Sequence, residues 1–306
     1  MYLRKYINNF KNILNVRKKN TKIIITSIFS ILLFLSFQSY EEQYNEFNQY
    51  KQDDLTIVSA YYKIKSKRKP SQYKDRLHNF VLLNKSIVFF TNKKFMPYIK
   101  AMRPKNLYNK TVFIETEIEE FYSYIQFKHE FEKSFEIDLE KRYHTVPLYM
   151  IWAEKCNFLK KAVMANYFNS KCFYWIDAGY FPKKNEIHKY SNNWPSTRKC
   201  FEDERLLIGQ VSNFSDSEKN NILIFDIKAH MRLQKNHNVI GGIFGGQPKN
   251  ILKFINLYYQ NLKLFIKHKI FIGKDQNIFT YIAFAHPEVV KLILCKDYYE
   301  YREYIS

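Results

Sequence analysis

The sequence has 306 residues, 46% hydrophobic and 25% charged, which is enough apolar side chain for one large domain or two small ones. Its formal net charge is +20, and a basic chain can bind nucleic acid, anionic lipid or a phosphorylated ligand. No zinc-finger spacing, RNP signature or helix-turn-helix pattern accompanies the charge, so nucleic acid is not an expected partner and much of the lysine reads as solvated surface.

The chain opens on a basic tail, residues 1–22. It holds Arg4, Lys5, Lys11, Arg17, Lys18, Lys19 and Lys22 and no acid, which leaves +13 for the rest. Residues 23–37 carry no charge, and Ser and Thr are their only polar members. Extended to Tyr40, the run reaches the lower length for crossing a thin bilayer. The positive-inside rule then predicts a single-pass, type II signal-anchor over 23–40, with the remainder across the membrane. A cleaved signal peptide fits less well, because no small-x-small site ends the run. Residues 41–54 are polar and predict a stem.

Beyond the stem, residues 55–306 predict a single α/β domain. Residues 55–62 read as a buried strand, 72–83 as a helix, 86–91 and 111–114 as strands, and 117–140 as a solvated helix. A long amphipathic helix is predicted over 148–166 and a strand over 172–177. Strands follow at 221–227 and 239–244. Pro248 opens a helix, 276–285 reads as another, and 289–294 as a last strand. Strands alternating with helices imply a mainly parallel sheet flanked by helices, with ligands at the carboxyl ends of the strands.

Three sequons, at Asn84, Asn109 and Asn213, fit a lumenal domain. Cys156, Cys172, Cys200 and Cys295 form no CxxC pair. An oxidising lumen permits one or two disulfides, and spacing does not give the pairing.

The segment Phe173-Tyr174-Trp175-Ile176-Asp177-Ala178-Gly179 runs an apolar strand into an acid and two small residues. Asp177 either caps a turn or holds a hard divalent cation that grips a diphosphate, with Gly179 leaving room for the ligand. Asp275 is either a helix N-cap or the carboxylate that takes a proton from an attacking hydroxyl. Gly241-Gly242-Ile243-Phe244-Gly245-Gly246 holds four of the seven glycines, for a tight turn or for close approach of a ligand. Lys155 reaches a phosphate or snorkels to solvent. His286 completes a metal site with Asp177 or is structural.

The segments Thr56-Ile57-Val58-Ser59-Ala60-Tyr61-Tyr62, Leu148-Tyr149-Met150-Ile151-Trp152-Ala153-Glu154-Lys155, Trp175-Ile176-Asp177-Ala178-Gly179 and Gly273-Lys274-Asp275-Gln276 together resemble the HtrL/YibB-like family. That family is similar to GT-A glycosyltransferases, which use nucleotide sugars and often Mn²⁺. The resemblance implies a GT-A-like fold, with Asp177 where an Asp-x-Asp motif would stand and Asp275 near the acceptor. Trp175 replaces the first acid of that motif. The expectation is then a membrane-anchored glycosyltransferase of the Golgi or endoplasmic reticulum, using Mn²⁺ or Mg²⁺. A nucleotide-sugar donor would lie near Tyr61, Lys155 and Gly179. A glycan, glycoprotein or glycolipid acceptor would lie near Asp275, Gly241, Gly242 and Gln276. The alternative is a non-catalytic carbohydrate-binding or scaffold protein on a degenerate transferase fold.

Overall fold

The structure is a computed structural model that describes residues 50–65, 70–190, 194–236 and 238–306. The basic tail, the apolar run 23–40 and most of the stem lie outside the described residues. Among the described residues no helix is long and apolar enough to cross a membrane. Residues 50–306 form one compact unit.

In chain order the elements are β1 (Leu55–Tyr61), α1 (Pro70–Val81), β2 (Ser86–Thr91) and α2 (Met96–Met102). A 3₁₀ turn at Lys105–Lys110 leads to β3 (Thr111–Glu115), and another at Ile118–Glu120 leads to α3 (Tyr122–Glu136). Then come α4 (Val146–Ala165), β4 (Cys172–Ile176), α5 (Lys184–Tyr190), α6 (Arg198–Glu202), β5 (Leu206–Gln210), α7 (Asp216–Leu223) and α8 (Ile227–Lys235). The chain closes with β6 (Val239–Gly246), α9 (Pro248–Lys267), α10 (Asp275–Ala285), β7 (Val290–Leu294) and α11 (Tyr301–Tyr304).

Among the described residues seven strands form one sheet in the order β3-β2-β1-β4-β6-β5-β7. β3, β2, β1 and β4 pair in parallel, as do β5 and β7. β6 runs antiparallel to both of its neighbours. The predicted mixture of helices and a mainly parallel sheet is therefore present, with one reversed strand. Near-continuous burial of β1, β2 and β4 follows from helices on both faces. Alternate side chains divide between two cores. Val58, Trp175 and Phe244 meet Phe158 of α4 and Phe279 of α10 on one face. Ile57, Tyr174 and Ile243 meet Leu77 and Phe80 of α1 on the other.

Two local features aim the chain at the sheet's carboxyl rim. α4 starts with Pro147 in its first turn and ends on Asn166, which is left-handed at φ 41°. The Asn166 amide donates to the Ala162 carbonyl at 2.9 Å, and its side chain accepts from the Ser170 amide at 2.7 Å, turning the chain back into β4. The reversed β6 pairs Ile243 with Ile176, so its first residues run past the end of β4. Gly241 and Gly242 thereby arrive at the rim where β4 delivers Asp177.

Two expectations need correction. Residues 221–227 are not a strand. Ser215 and Glu218 form a capping box that starts α7, and Ile222 and Leu223 belong to that helix. A strand that the sequence did not signal, β5, lies at Leu206–Gln210. It is short, contains Gly209 and follows a charged stretch.

Cys172 at the start of β4 is bonded to Cys200 of α6, while Cys156 and Cys295 are free and buried. The bridge closes a sequence separation of 28 residues. A loop of that size is worth about 3–4 kcal/mol through the unfolded chain. Cys200→Ser is expected to lose about that much, read as a lower denaturant midpoint that no longer responds to reductant.

Candidate functional site

Four elements meet at the rim, and Lys155 of α4 stands at their centre. Its side chain is only 4% exposed. Its ammonium lies 3.2 Å from Asp177 Oδ1 and 2.9 Å from Asp275 Oδ2, and donates to the Gly241 carbonyl at 2.9 Å. The ammonium is thus hydrogen-bonded to one carbonyl and ion-paired with two carboxylates, while Asp275 Oδ2 faces it without a formed hydrogen bond. Burial works against the charge, but Asp177 and Asp275 outweigh it and hold the Lys155 pKa above the ordinary lysine value. Lys155 does not snorkel: its side chain is 4% exposed and its ammonium is turned onto the two carboxylates.

Asp177 follows β4, and its side chain is 35% exposed. Its backbone amide donates to the Gly242 carbonyl at 2.8 Å. Trp175 Nε1 donates to Asp177 Oδ1 at 2.7 Å. Residues two apart in a strand share a face, so Trp175 and Asp177 are set side by side by the pleat. The Trp175 ring lies almost parallel to Phe158, centroids 6.2 Å apart, which fixes the indole. Both contacts fall on Oδ1. The other oxygen, Oδ2, faces Gly242.

Asp275 is the first residue of α10, and Lys274 precedes it as the cap, so Asp275 is not the N-cap. Its Oδ1 accepts from the Gln276 amide at 2.9 Å. A carboxylate in the first turn is favoured by the helix dipole. Burial is the main influence on this group and raises its pKa, with Lys155 opposing. The turn before it is held tightly. Lys274 Nζ bonds Glu140 and the Gln234 carbonyl, and the Gly273 position packs on Phe271 and Tyr149.

Gly241 and Gly242 earn their smallness here. A Cβ on Gly242 would lie 1.8 Å from Tyr298 Oη and 3.2 Å from Asp177 Oδ2. A Cβ on Gly241 would lie 2.8 Å from Gln276 Cγ and 3.1 Å from Asp275 Oδ1. The space beside these glycines is filled by the chain's own side chains, not kept for an acceptor. Gln276 is likewise turned inward, donating to the Val239 carbonyl. Gly242→Ala is expected to displace the Tyr298 ring and crowd Asp177, read as a lower unfolding temperature and altered tyrosine fluorescence.

Lys155, Asp177, Asp275, Gly241, Gly242 and Gln276 are thus brought together. Tyr61 ends β1, the neighbour of β4, and is half-buried against Phe95 at 5.9 Å. Gly179 accepts from Arg76 Nη1 at 2.8 Å, and a side chain there would only touch Arg76 and Tyr73. Both lie at the same rim. His286 does not join them. It follows the last residue of α10, about 16 Å along the helix from Asp275 at 1.5 Å per residue, and pairs with Glu288 at 3.4 Å. It is therefore no metal partner for Asp177.

Two participants escaped the sequence. Strand alternation carries the signal that would have found the Trp175 bond, since residues two apart share a face. Tyr298 has no such signal, because only tertiary packing carries it onto Gly242. Burial pushes the Tyr298 hydroxyl pKa well up.

Among the described residues no group of three or more His, Cys, Asp or Glu could hold a metal, so the site is not a protein-only cage. The two carboxylates against one ammonium leave it a net charge of −1. A partly exposed carboxylate in a cluster of net negative charge is the kind of group that can give a hard cation one protein ligand and leave its other positions to water or a ligand's oxygens, the manner in which Mg²⁺ binds.

No curated protein matches the chain. Among solved structures, mouse xyloside xylosyltransferase 1 in its apo form is similar at 12% identity and a TM-score of 0.38, covering 80% of this chain and 84% of that one. Residues 53–306 match the family described as "Bacterial protein of unknown function (HtrL_YibB)". That match takes in all seven strands and every residue of the rim cluster, and the chain belongs to the HtrL_YibB family.

Proposed function

We propose that the chain transfers a sugar from a nucleoside-diphosphate sugar to a hydroxyl acceptor, on a GT-A-like fold. The observation that carries this reading is the Lys155 clamp, which holds one buried and one exposed carboxylate together at the carboxyl rim of the sheet. Ligands of open α/β sheets bind at that rim. A structural ion pair has no need of a partly exposed partner, and Asp177 is the one that faces solvent. Asp177 would hold Mn²⁺ or Mg²⁺, which when bound would supply Lewis-acid stabilisation of the departing diphosphate. Asp177 would orient the donor, and Asp275 would sit beneath it, keeping Asp177 in place through Lys155. Tyr61 and Gly179, with Arg76 and Tyr73 beside them, would flank the nucleotide. The acceptor, a glycan or a glycosylated protein or lipid, would enter from the α10 side.

Anchorage by residues 23–40, with the domain on the oxidising side of the membrane, belongs to the same proposal. In a eukaryotic cell that side is the lumen of the Golgi or endoplasmic reticulum. The Cys172–Cys200 bond fits such a compartment. Asn109 and Asn213 are exposed, whereas Asn84 accepts from Lys110 at 3.0 Å. Recovery of the full chain in a washed membrane fraction is expected; recovery in the soluble fraction defeats the anchor.

A thermal-shift panel of nucleotide sugars with and without Mn²⁺ tests the activity. A donor at a hundred times its Kd stabilises by about 2.7 kcal/mol. A rise of several degrees with one donor class, together with release of its nucleotide, is expected. Trp175 in place of a second acid favours a second reading, a non-catalytic sugar-binding protein. Stabilisation without nucleotide release would select it, and no stabilisation by any donor would end both.

A further inference from the structure

We propose that Lys155 sets the cation dependence of this site: its ammonium leaves the Asp177–Asp275 pair one charge short of holding a divalent cation alone, so a cation enters only together with a diphosphate. The part concerning diphosphate rests on the transferase reading; the part concerning Lys155 does not.

The geometry points this way for three reasons. First, Lys155 is turned inward. Its ammonium lies 3.2 Å from Asp177 and 2.9 Å from Asp275 and donates to the Gly241 carbonyl at 2.9 Å, with its side chain only 4% exposed. Its effect on a cation runs through the charge of the two acids, which makes it a positioning residue. Second, its charge opposes any cation at Asp177. The affinity of a hard-cation site follows the number of negative ligands. Here one of two carboxylate charges is cancelled from below, at a distance where the opposition is strong. The phosphate oxygens of a ligand would restore the missing charge from above. Third, Asp275 is nearly sealed. Its side chain is 4% exposed, and besides Lys155 it has the Gln276 amide on Oδ1. Without the ammonium, this buried carboxylate must take up either a proton or a metal ion.

The test follows the free Mn²⁺ signal by electron paramagnetic resonance during titration with the full chain, alone and with UDP, GDP or ADP, each read against the same nucleotide without protein. Wild type is expected to take up Mn²⁺ with one of these nucleotides and not without. Lys155→Met is expected to take it up without nucleotide, about tenfold or more tightly than wild type. Mn²⁺ should also raise the unfolding temperature of Lys155→Met and leave that of wild type unmoved. Equal Mn²⁺ affinity of the two proteins in the absence of nucleotide overturns the proposal.

Should Lys155→Met not fold, Asp275→Asn gives the opposite arm. Its cluster is neutral, and Mn²⁺ uptake with nucleotide should fall about tenfold. Unchanged uptake overturns the proposal. Failure of wild type to take up Mn²⁺ with any nucleoside diphosphate defeats the transferase reading instead. The gain in Lys155→Met without nucleotide would still stand.

Discussion

Asp177→Asn is expected to cut nucleotide release from the donor sugar about a thousandfold, the size of loss seen when one aimed electrostatic group is removed from a reacting centre. The fold should not change. The Asn side-chain oxygen can still accept from Trp175 Nε1, and the position is one-third exposed, so no buried charge is stranded. What disappears is the negative oxygen facing Gly242, and with it the site's net charge. Lys155 would then be balanced by Asp275 alone. Release of nucleotide from the donor, measured beside a denaturant curve, separates the two effects. A thousandfold loss with an unmoved midpoint supports the centre. Full activity would remove Asp177 from it.

Lys155→Met should instead unfold easily. Breaking one partner out of a buried ion pair costs about 3–5 kcal/mol, because the remaining charge is left unpaired. For a domain of this size each kcal/mol moves the unfolding temperature by about 2–4 °C, so a fall of roughly 10 °C is expected. The single substitution strands Asp275. Adding Asp275→Asn removes the stranded charge, and the double variant should recover part of the loss. That recovery is a coupling that two independent sites would not show. Asp177 needs no such rescue, since water can reach it. Equal stability of wild type and Lys155→Met would mean that the clamp contributes nothing to holding the rim.

Most of the fold was legible because buried parallel strands advertise themselves. Ile87–Phe90 within β2 and Cys172–Ile176 are unbroken apolar runs, and each strand emerged within a residue of its sequence boundary. Pro248 marked the start of α9 for the reason prolines usually do. The failures are where apolar residues have two uses. Ile222, Leu223 and Ile224 look like a strand until the Ser215–Glu218 box is seen to have started a helix before them. Leu206–Gln210 looks like nothing, being five residues after a charged loop. The reversal of β6 has no sequence mark at all, since strand direction is set by what pairs with what.

The site divides in the same way. Asp177 and Asp275 were readable from position alone, as acids where a strand ends and a helix begins. Lys155 was visible but misjudged. Nothing local tells a buried lysine from a solvated one, and its two carboxylates arrive from other parts of the chain. The glycine run stands out in the sequence by scarcity alone. Its purpose is to let Tyr298, Gln276 and Asp275 close in, which no linear spacing could disclose.

The sheet order has a consequence for synthesis. β6 lies between β4 and β5, yet the ribosome makes it after both. Until residue 246 has emerged, β4 and β5 have no bridge, and each offers a bare row of unpaired N–H and C=O groups, flanked by apolar side chains, to whatever is near. A stalled or prematurely terminated product would carry that sticky margin, and chaperones and proteases recognise such exposure.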